Sequence, residues 1–340
     1  MKNLLFLLST MVFCLAACSK DNSGSNTGSA PTNLVISATV APDNSGTVAF
    51  TASATNAVAY DFDFGNGSFQ TSPAGSYTYK YPASGSYTVT ISARSASGQS
   101  ISKTLPVTVT VVLALVWSDE FNTNGPPDPT KWGYDLGAGG WGNNELQYYT
   151  NRPQNARVEN GMLKITLTRE NYIGSSFTSA RLLSKDKYAF RYGRIEVKAK
   201  LPTGSGTWPA IWMLGSNINT VPWPACGEID IMEHIGREQN KIFSTLHYPN
   251  FSGANGVSSS TMVPTASTEF HVYSAEWSPA SIKFFVDGQL FHNFTNTPLL
   301  PFNQNFFIIL NVAMGGNFGG AVDPLFTTGT MEIDFVRVYQ

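Results

Sequence analysis

The sequence predicts an all-β protein made of two successive β-sandwiches, the second and larger of them a double-sheet jelly roll. Three observations carry this. Apolar and polar residues alternate with period two through many short segments. Gly, Pro and Asn turn signals separate those segments at close intervals, as in sandwiches and jelly rolls. Almost no stretch shows the 3.6-residue period of an amphipathic helix.

The length of 340 residues favours two domains and is ample for a large core. Charge is nearly balanced, with 21 Lys and Arg against 23 Asp and Glu. Such a surface excludes a nucleic-acid footprint and points to an uncharged partner. Aromatic residues make up 13% of the chain, with seven Trp, which suits a carbohydrate cleft and equally suits a β-sandwich core.

The chain begins as a secretory signal: Lys2, then the apolar runs Leu4–Leu8 and Met11–Ala17. Leu15-Ala16-Ala17-Cys18 resembles a bacterial lipobox, which implies cleavage after residue 17 and acylation of Cys18. The run is short for a membrane span. Cys14 leaves with the signal and Cys18 carries lipid, so only Cys226 stays in the folded part and no disulfide framework forms. Cys226 reads as a small buried apolar residue. Residues 18–32, rich in Ser, Gly and Asn, read as a flexible tether with a reach of roughly 20 Å.

Residues 33–111 form the first sandwich. Val35–Val40, Thr47–Ala52, Ala57–Phe64 and Tyr87–Ala93 alternate like half-buried antiparallel strands. The segments Tyr60–Gly67 (YDFDFGNG) and Gly85–Ile91 (GSYTVTI) resemble a PKD-type immunoglobulin-like module. That family usually shows Trp-Asp-Phe-Gly-Asp-Gly; here Tyr60 stands for the Trp and an extra Asp-Phe pair intervenes. A spacer role is expected, since sugar binding would need an exposed aromatic platform. Thr104–Thr110 reads as its last strand and Leu113–Trp117 as the first strand of the next domain, so the junction should be stiff.

The second sandwich spans 112–340. Its strands include Leu163–Leu167, Arg194–Lys200, Ile242–Tyr248, Phe270–Trp277, Ile282–Val286 (followed by the hairpin turn Asp287-Gly288) and Phe306–Val312.

One segment carries chemistry. Gly227–His234 (GEIDIMEH) sets three carboxylates in an apolar strand. Alternation places Glu228 and Asp230 on one face, with Ile229 and Ile231 on the other. Glu233 has the wrong parity for that face unless a β-bulge at Ile231-Met232 restores it. The two glutamates would then flank Asp230 with backbones about 13 Å apart, a gap their side chains can largely close. Retaining cleavage of a glycosidic bond needs one carboxylate nucleophile and one carboxylic acid roughly 5–5.5 Å apart, and this is that layout. Asp230 between them can hydrogen-bond one glutamate and help keep one group ionised and the other protonated. The competing reading is a solvated strand face with incidental acids.

The motif resembles the bulged Glu-x-Asp-x-x-Glu signature of glycoside hydrolase family 16, in its laminarinase-like form. Supporting segments run in order over residues 114–340: Trp117–Phe121 (WSDEF), Gly140–Gln147 (GWGNNELQ), Tyr192–Val197 (YGRIEV), Thr207–Leu214 (TWPAIWML), Asn311–Gly316 (NVAMGG) and Met331–Tyr339 (MEIDFVRVY). The resemblance implies Glu228 as nucleophile, Glu233 as acid/base and Asp230 as helper. The charge of Glu228 is expected to raise the pKa of Glu233. It also implies Trp212 as the floor beside the cleaved bond, with Trp208 near it and His247 on the following strand. Trp223 is a further stacking candidate. Asn143 and Arg181 fall at positions that resemble sugar-hydroxyl ligands. His234, beside Glu233 in sequence, should point to the other face. No catalytic cofactor is expected. The resemblance also implies a structural calcium on the convex face, held by a carboxylate near the C-terminal strand and by backbone oxygens near the domain start; here that would mean Asp334, with Glu120 and Gly161.

The longer acidic motif resembles laminarinases, and few Arg or Lys flank the motifs as a sulfated-galactan enzyme would require. The expected activity is endo-hydrolysis of β-1,3-glucan, and of mixed β-1,3/1,4-glucan after a 3-linked unit. The alternatives are a mixed-linkage specialist and an inactive surface glycan-binding protein. The expected partners are a β-glucan and, through Cys18, a membrane. No nucleic acid is expected, and the chain should be a monomer held at the bacterial cell envelope.

Overall fold

The computed structural model describes residues 28–340. The signal segment, Cys18 and most of the tether lie outside the described residues. Among the described residues almost all regular structure is β, and the single α-helix is the short Gly316–Gly319. Among the described residues no helix is long and apolar enough to cross a membrane.

The first module packs two antiparallel sheets. Thr32–Val40, Thr47–Thr55 and Ser76–Lys80 make one; Phe69–Ser72, Ala59–Asp63, Gly85–Arg94 and Ser100–Val109 make the other. Alternation turns Val48, Phe50, Phe62, Phe64, Val89 and Ile91 into its own core. Phe69–Ser72 and Ser76–Lys80 are strands that the sequence reading does not contain. They are short and largely solvent-facing, so the apolar alternation is weak there.

The junction is as short as the sequence implies. The Val112 N–H donates to the Asn44 carbonyl of the first module, and Ala114 exchanges both backbone hydrogen bonds with Gln340 of the second. Only Leu113 lies between these anchored residues.

The larger domain is a jelly-roll sandwich of a ten-stranded and a seven-stranded sheet. The ten-stranded sheet is built on Met162–Tyr172, Thr328–Tyr339, Gly193–Lys200 and His271–Trp277. Its hairpin Ser281–Val286 to Gln289–Thr295 turns at Asp287-Gly288, both with positive φ (48° and 77°), which fits an Asp-Gly pair. The seven-stranded sheet runs in the order Val257–Met262, Lys241–His247, Glu228–His234, Thr207–Gly215, Phe306–Met314, Arg181–Leu183, Gly133–Asp135. Phe306–Met314 is buried at every residue, as its near-continuous apolar sequence requires of a central strand. The sheets meet through Leu163, Ile165, Val197 and Ile333 on one side and Ile211, Met213, Ile229 and Ile308 on the other.

One strand of this sheet departs from regularity. Along Glu228–His234, Trp212 pairs with Asp230 but Ile211 pairs with Met232, which leaves Ile231 opposite nothing. On the other edge the register likewise jumps between Asp230/Thr245 and Glu233/Phe243. This is a bulge at Ile231-Met232. Ile231 and Met232, adjacent in sequence, both enter the core, so Glu233 returns to the face of Glu228 and Asp230.

Deleting Ile231 should make the strand regular, and one residue fewer keeps Glu228, Asp230 and Glu233 together on the cleft face. Losing the buried Ile231 side chain costs about 2–5 kcal/mol. Far-UV circular dichroism should keep its β signature and the melting temperature should fall, while hydrolysis stays measurable. A folded deletion variant without hydrolysis would contradict this parity argument.

Candidate active site

The seven-stranded sheet carries a cleft of about 740 Å³, and both glutamates and Asp230 line it. Glu228 keeps some solvent contact, whereas Asp230 and Glu233 are only 3% and 8% exposed. Three carboxyls this close to one another and this dry cannot all ionise. Burial first, and then the charge of Asp230, pushes Glu228 well above the ordinary carboxylate range. Burial likewise lifts Asp230, followed by the charge of Glu233. Glu233 is also raised, and again burial is the chief cause.

Neighbouring donors sort the three. The Trp223 indole N–H donates to Glu228 Oε2 at 2.7 Å. A donor on a carboxylate favours its charged form. The carboxyls of Glu228 and Asp230 also hydrogen-bond, which raises Glu228 and lowers Asp230, so the pair shares one proton. Glu233 accepts from the Trp208 indole N–H at 3.1 Å and from the Thr245 hydroxyl at 3.0 Å. These fix where it points, while burial holds its proton.

The strand Lys241–His247 supplies the next layer. Register sets His247 opposite Glu228 and Thr245 opposite Asp230. His247 Nε2 lies 3.3 Å from Asp230 Oδ2 and 4.0 Å from Glu228 Oε1. A Cβ on Gly256 would come within 2.6 Å of the His247 ring, so that glycine's backbone lies flat against the imidazole.

Tryptophans line the cleft on both sides of the acids. Trp208 and Trp212 sit four apart on Thr207–Gly215 and both face it. Trp223 is 44% exposed and also lines it. Arg181 lines the cleft too, but its guanidinium is stacked between Trp141 (5.0 Å) and Trp212 (4.7 Å) and paired with Asp135 at 3.0 Å. Asn143 lines the same end, and its carbonyl accepts from the Asn317 N–H.

A family model for glycosyl hydrolases family 16 matches residues 143–337, and one for the PKD domain matches 33–109. The chain belongs to glycosyl hydrolase family 16. It is similar to a β-glucanase of Rhodothermus marinus, 47% identical over 242 residues, covering 66% of this chain and 85% of that protein. It is also similar to a glucan endo-1,3-beta-glucosidase of Cryptopygus antarcticus, 40% identical over 249 residues, covering 66% of this chain and 91% of that protein. The X-ray structure of the laminarinase from Rhodothermus marinus matches with a TM-score of 0.65, covering 67% of this chain and 98% of that one.

In this glycoside hydrolase burial is the chief cause of the raised Glu233, and the repulsion between Glu228 and Glu233 acts on both groups. Asp334, the side chain expected to hold calcium, pairs with a cation, and so does the carboxylate of Glu120, of which only the backbone oxygen is expected to serve. Arg337 takes both carboxylate oxygens of Glu120 at 2.8–2.9 Å, and Lys198 Nζ lies 2.8 Å from Asp334 Oδ2. Gly161 sits at the turn between Ala156–Glu159 and Met162–Tyr172 with positive φ. The Glu120 carboxylate is therefore occupied through both oxygens, and Asp334 through Oδ2. Only backbone oxygens, or the remaining Asp334 oxygen, could serve.

His234 is buried away from the cleft, accepts the Asn240 N–H, and is kept neutral by burial, which lowers its pKa to about 4. Cys226 is buried and free. Sequence reasoning quoted Trp141, Glu145 and Asn311 within motifs without assigning them to the site. A polar relay joins two of them to the floor. Trp212 donates to Asn311 at 2.8 Å, Asn311 to Tyr149 at 3.0 Å, and Tyr149 to Glu145 at 3.1 Å. The same alternation that exposes Trp208 and Trp212 marks Thr245 as cleft-facing once His247 is placed.

Gly256→Ala tests the support of His247. Its φ of −56° tolerates alanine, but the Cβ would meet both the His247 ring and the Thr245 methyl, so both side chains should shift. A loss in kcat of up to about 100-fold is expected while the β signature in circular dichroism is kept. A second test uses the raised carboxyl pKa values. A folded-state pKa above the unfolded one adds stability at low pH, and that stability disappears as pH rises through the folded value. Glu228→Gln should thus melt above wild type at pH 7–8, by about 2–4 °C per kcal/mol relieved, with the gap closing towards pH 4. A gap that widens on acidification would contradict the burial account.

Proposed function

We propose that the chain is an endo-acting β-1,3-glucanase that also cuts mixed β-1,3/1,4-glucan at bonds following a 3-linked unit. The observation that carries this reading is the bulge that sets Glu228 and Glu233 on one face of an aromatic-lined cleft. Sugar rings offer apolar C–H faces to Trp208, Trp212 and Trp223 while their hydroxyls meet the polar groups between. Arg181 is the one Arg or Lys lining the cleft, and it is already paired with Asp135, which disfavours a sulfated polymer. The names of the relatives described above support glucan over other polysaccharides.

The mechanism we infer is a double displacement with retention. Ionised Glu228 attacks the anomeric carbon while Glu233 gives its proton to the departing glycosidic oxygen. The resulting glycosyl ester removes the charge of Glu228. Glu233, now a carboxylate, takes a proton from water, which attacks the same carbon and frees Glu228. Asp230 holds or returns the proton it shares with Glu228 as that group changes charge.

Anchoring through lipid on Cys18 at the bacterial envelope is part of the same reading, as is a monomeric state. The first module would then act as a spacer. A calcium held by backbone oxygens of Glu120 and Gly161 and by Asp334 belongs to it as well, and would supply stability alone. A melting temperature unmoved by chelator would count against the calcium.

Product analysis on laminarin, barley β-glucan, agarose and carrageenan tests the substrate. Laminarin should be cut fastest and barley β-glucan second. Glu228→Gln should lose several orders of magnitude in rate, about what removing a covalent nucleophile costs. A faster rate on barley β-glucan would favour the mixed-linkage specialist. Absence of reducing-sugar release by wild type as well as by the variant would leave only a glycan-binding role.

A further inference from the structure

We propose that Asp230, Glu228 and His247 together form a site for a borderline transition ion, of which Zn²⁺ is the test case, and that its occupancy excludes sugar from the cleft. Each residue offers one ligand atom, and the three atoms lie within 4.8 Å of one another, the one such group among the described residues. The spacing suits a tetrahedral ion. Bonds of about 2.0–2.1 Å give a ligand-to-ligand edge of roughly 3.3–3.4 Å. His247 Nε2 and Asp230 Oδ2 are 3.3 Å apart, and Glu228 Oε1, at 4.0 Å from Nε2, closes the remainder by a small side-chain rotation.

A second observation points the same way. Asp230 Oδ2 is buried, on a side chain only 4% exposed, and no donor satisfies it. Buried oxygens of this kind normally have a partner. Here an imidazole nitrogen lies 3.3 Å away, and it can share a metal as readily as a proton. The ring is pinned, with Gly256 flat against it and Trp223 at 5.9 Å between centroids. All three residues line the cleft, so an ion can enter, and a fourth position stays open for water.

The donor set chooses the ion. Two carboxylates and one imidazole suit zinc or copper. Calcium, which takes six to eight oxygens, would find too few here. His247 Nδ1 has no acceptor, so the outer support that tightens resident metal sites is missing. The site therefore fits a reversible inhibitory ion better than a permanent one. Its ligands include the group that must attack the sugar, so metal and substrate compete for the same oxygen.

Calorimetric titration of metal-free full chain with ZnCl₂ tests this. Wild type should bind one ion per chain. His247→Gln and Asp230→Asn should each weaken binding by roughly tenfold or more. Should either variant fail to fold, Glu228→Gln replaces it. Saturating β-1,3-linked glucose oligosaccharide should weaken the apparent zinc affinity. No heat up to millimolar zinc, or equal affinity in wild type and folded variants, would overturn the site. The competition arm alone rests on the β-glucan reading. An oligosaccharide that binds metal-free protein yet leaves zinc affinity unchanged overturns the exclusion; one that binds nothing refutes the substrate reading, while the variants still decide the metal site.

Discussion

A single unpaired residue governs this active site. Ile231 has no partner across Thr207–Gly215, and that absence lets Ile231 and Met232 enter the core in succession. With the same residues in a regular strand, period-two geometry would turn the Glu233 carboxyl into the core instead of the cleft. The bulge is held from both sides, by Phe306–Met314 behind Thr207–Gly215 and by Lys241–His247 on the other edge. A central, fully buried strand pins the frame against which one strand can be irregular.

That frame also fixes the electrostatics. The acids are desolvated because the sheet and its tryptophans surround them, and desolvation is the leading cause of each shift. The indole donors then break the symmetry, Trp223 on Glu228 and Trp208 on Glu233. In this cleft the tryptophans therefore have two duties, as apolar platforms and as hydrogen-bond donors to the reacting carboxyls. The free-energy strain of three buried acids is the tension between stability and activity expected of a site that must ionise one group and keep another protonated.

Much of this was legible in the sequence because the relevant rules are local. Alternation marked the strands of both sandwiches, Asp287-Gly288 marked a hairpin, and the parity of Glu228, Asp230 and Glu233 required the bulge found at Ile231-Met232. What stayed hidden depends on partners distant in sequence. The pairing of Glu120 with Arg337 and of Asp334 with Lys198 depends on sheet register that brings distant segments together. The stacking of Arg181 between Trp141 and Trp212 likewise needs three separate segments to converge. So does the close approach of Gly256 to His247, for which nothing in the local sequence speaks.

The most direct measurement is azide rescue of the two glutamate variants, with the anomeric form of the product determined by NMR. A small anion can replace a missing nucleophile or attack the glycosyl-enzyme once a missing acid/base no longer has to activate water. Glu228→Ala with azide should yield the α-glycosyl azide, and Glu233→Ala with azide the β-glycosyl azide. Reversed products, or rescue of neither variant on a substrate with a good leaving group, would contradict the assignment of these two side chains to opposite sides of one anomeric carbon.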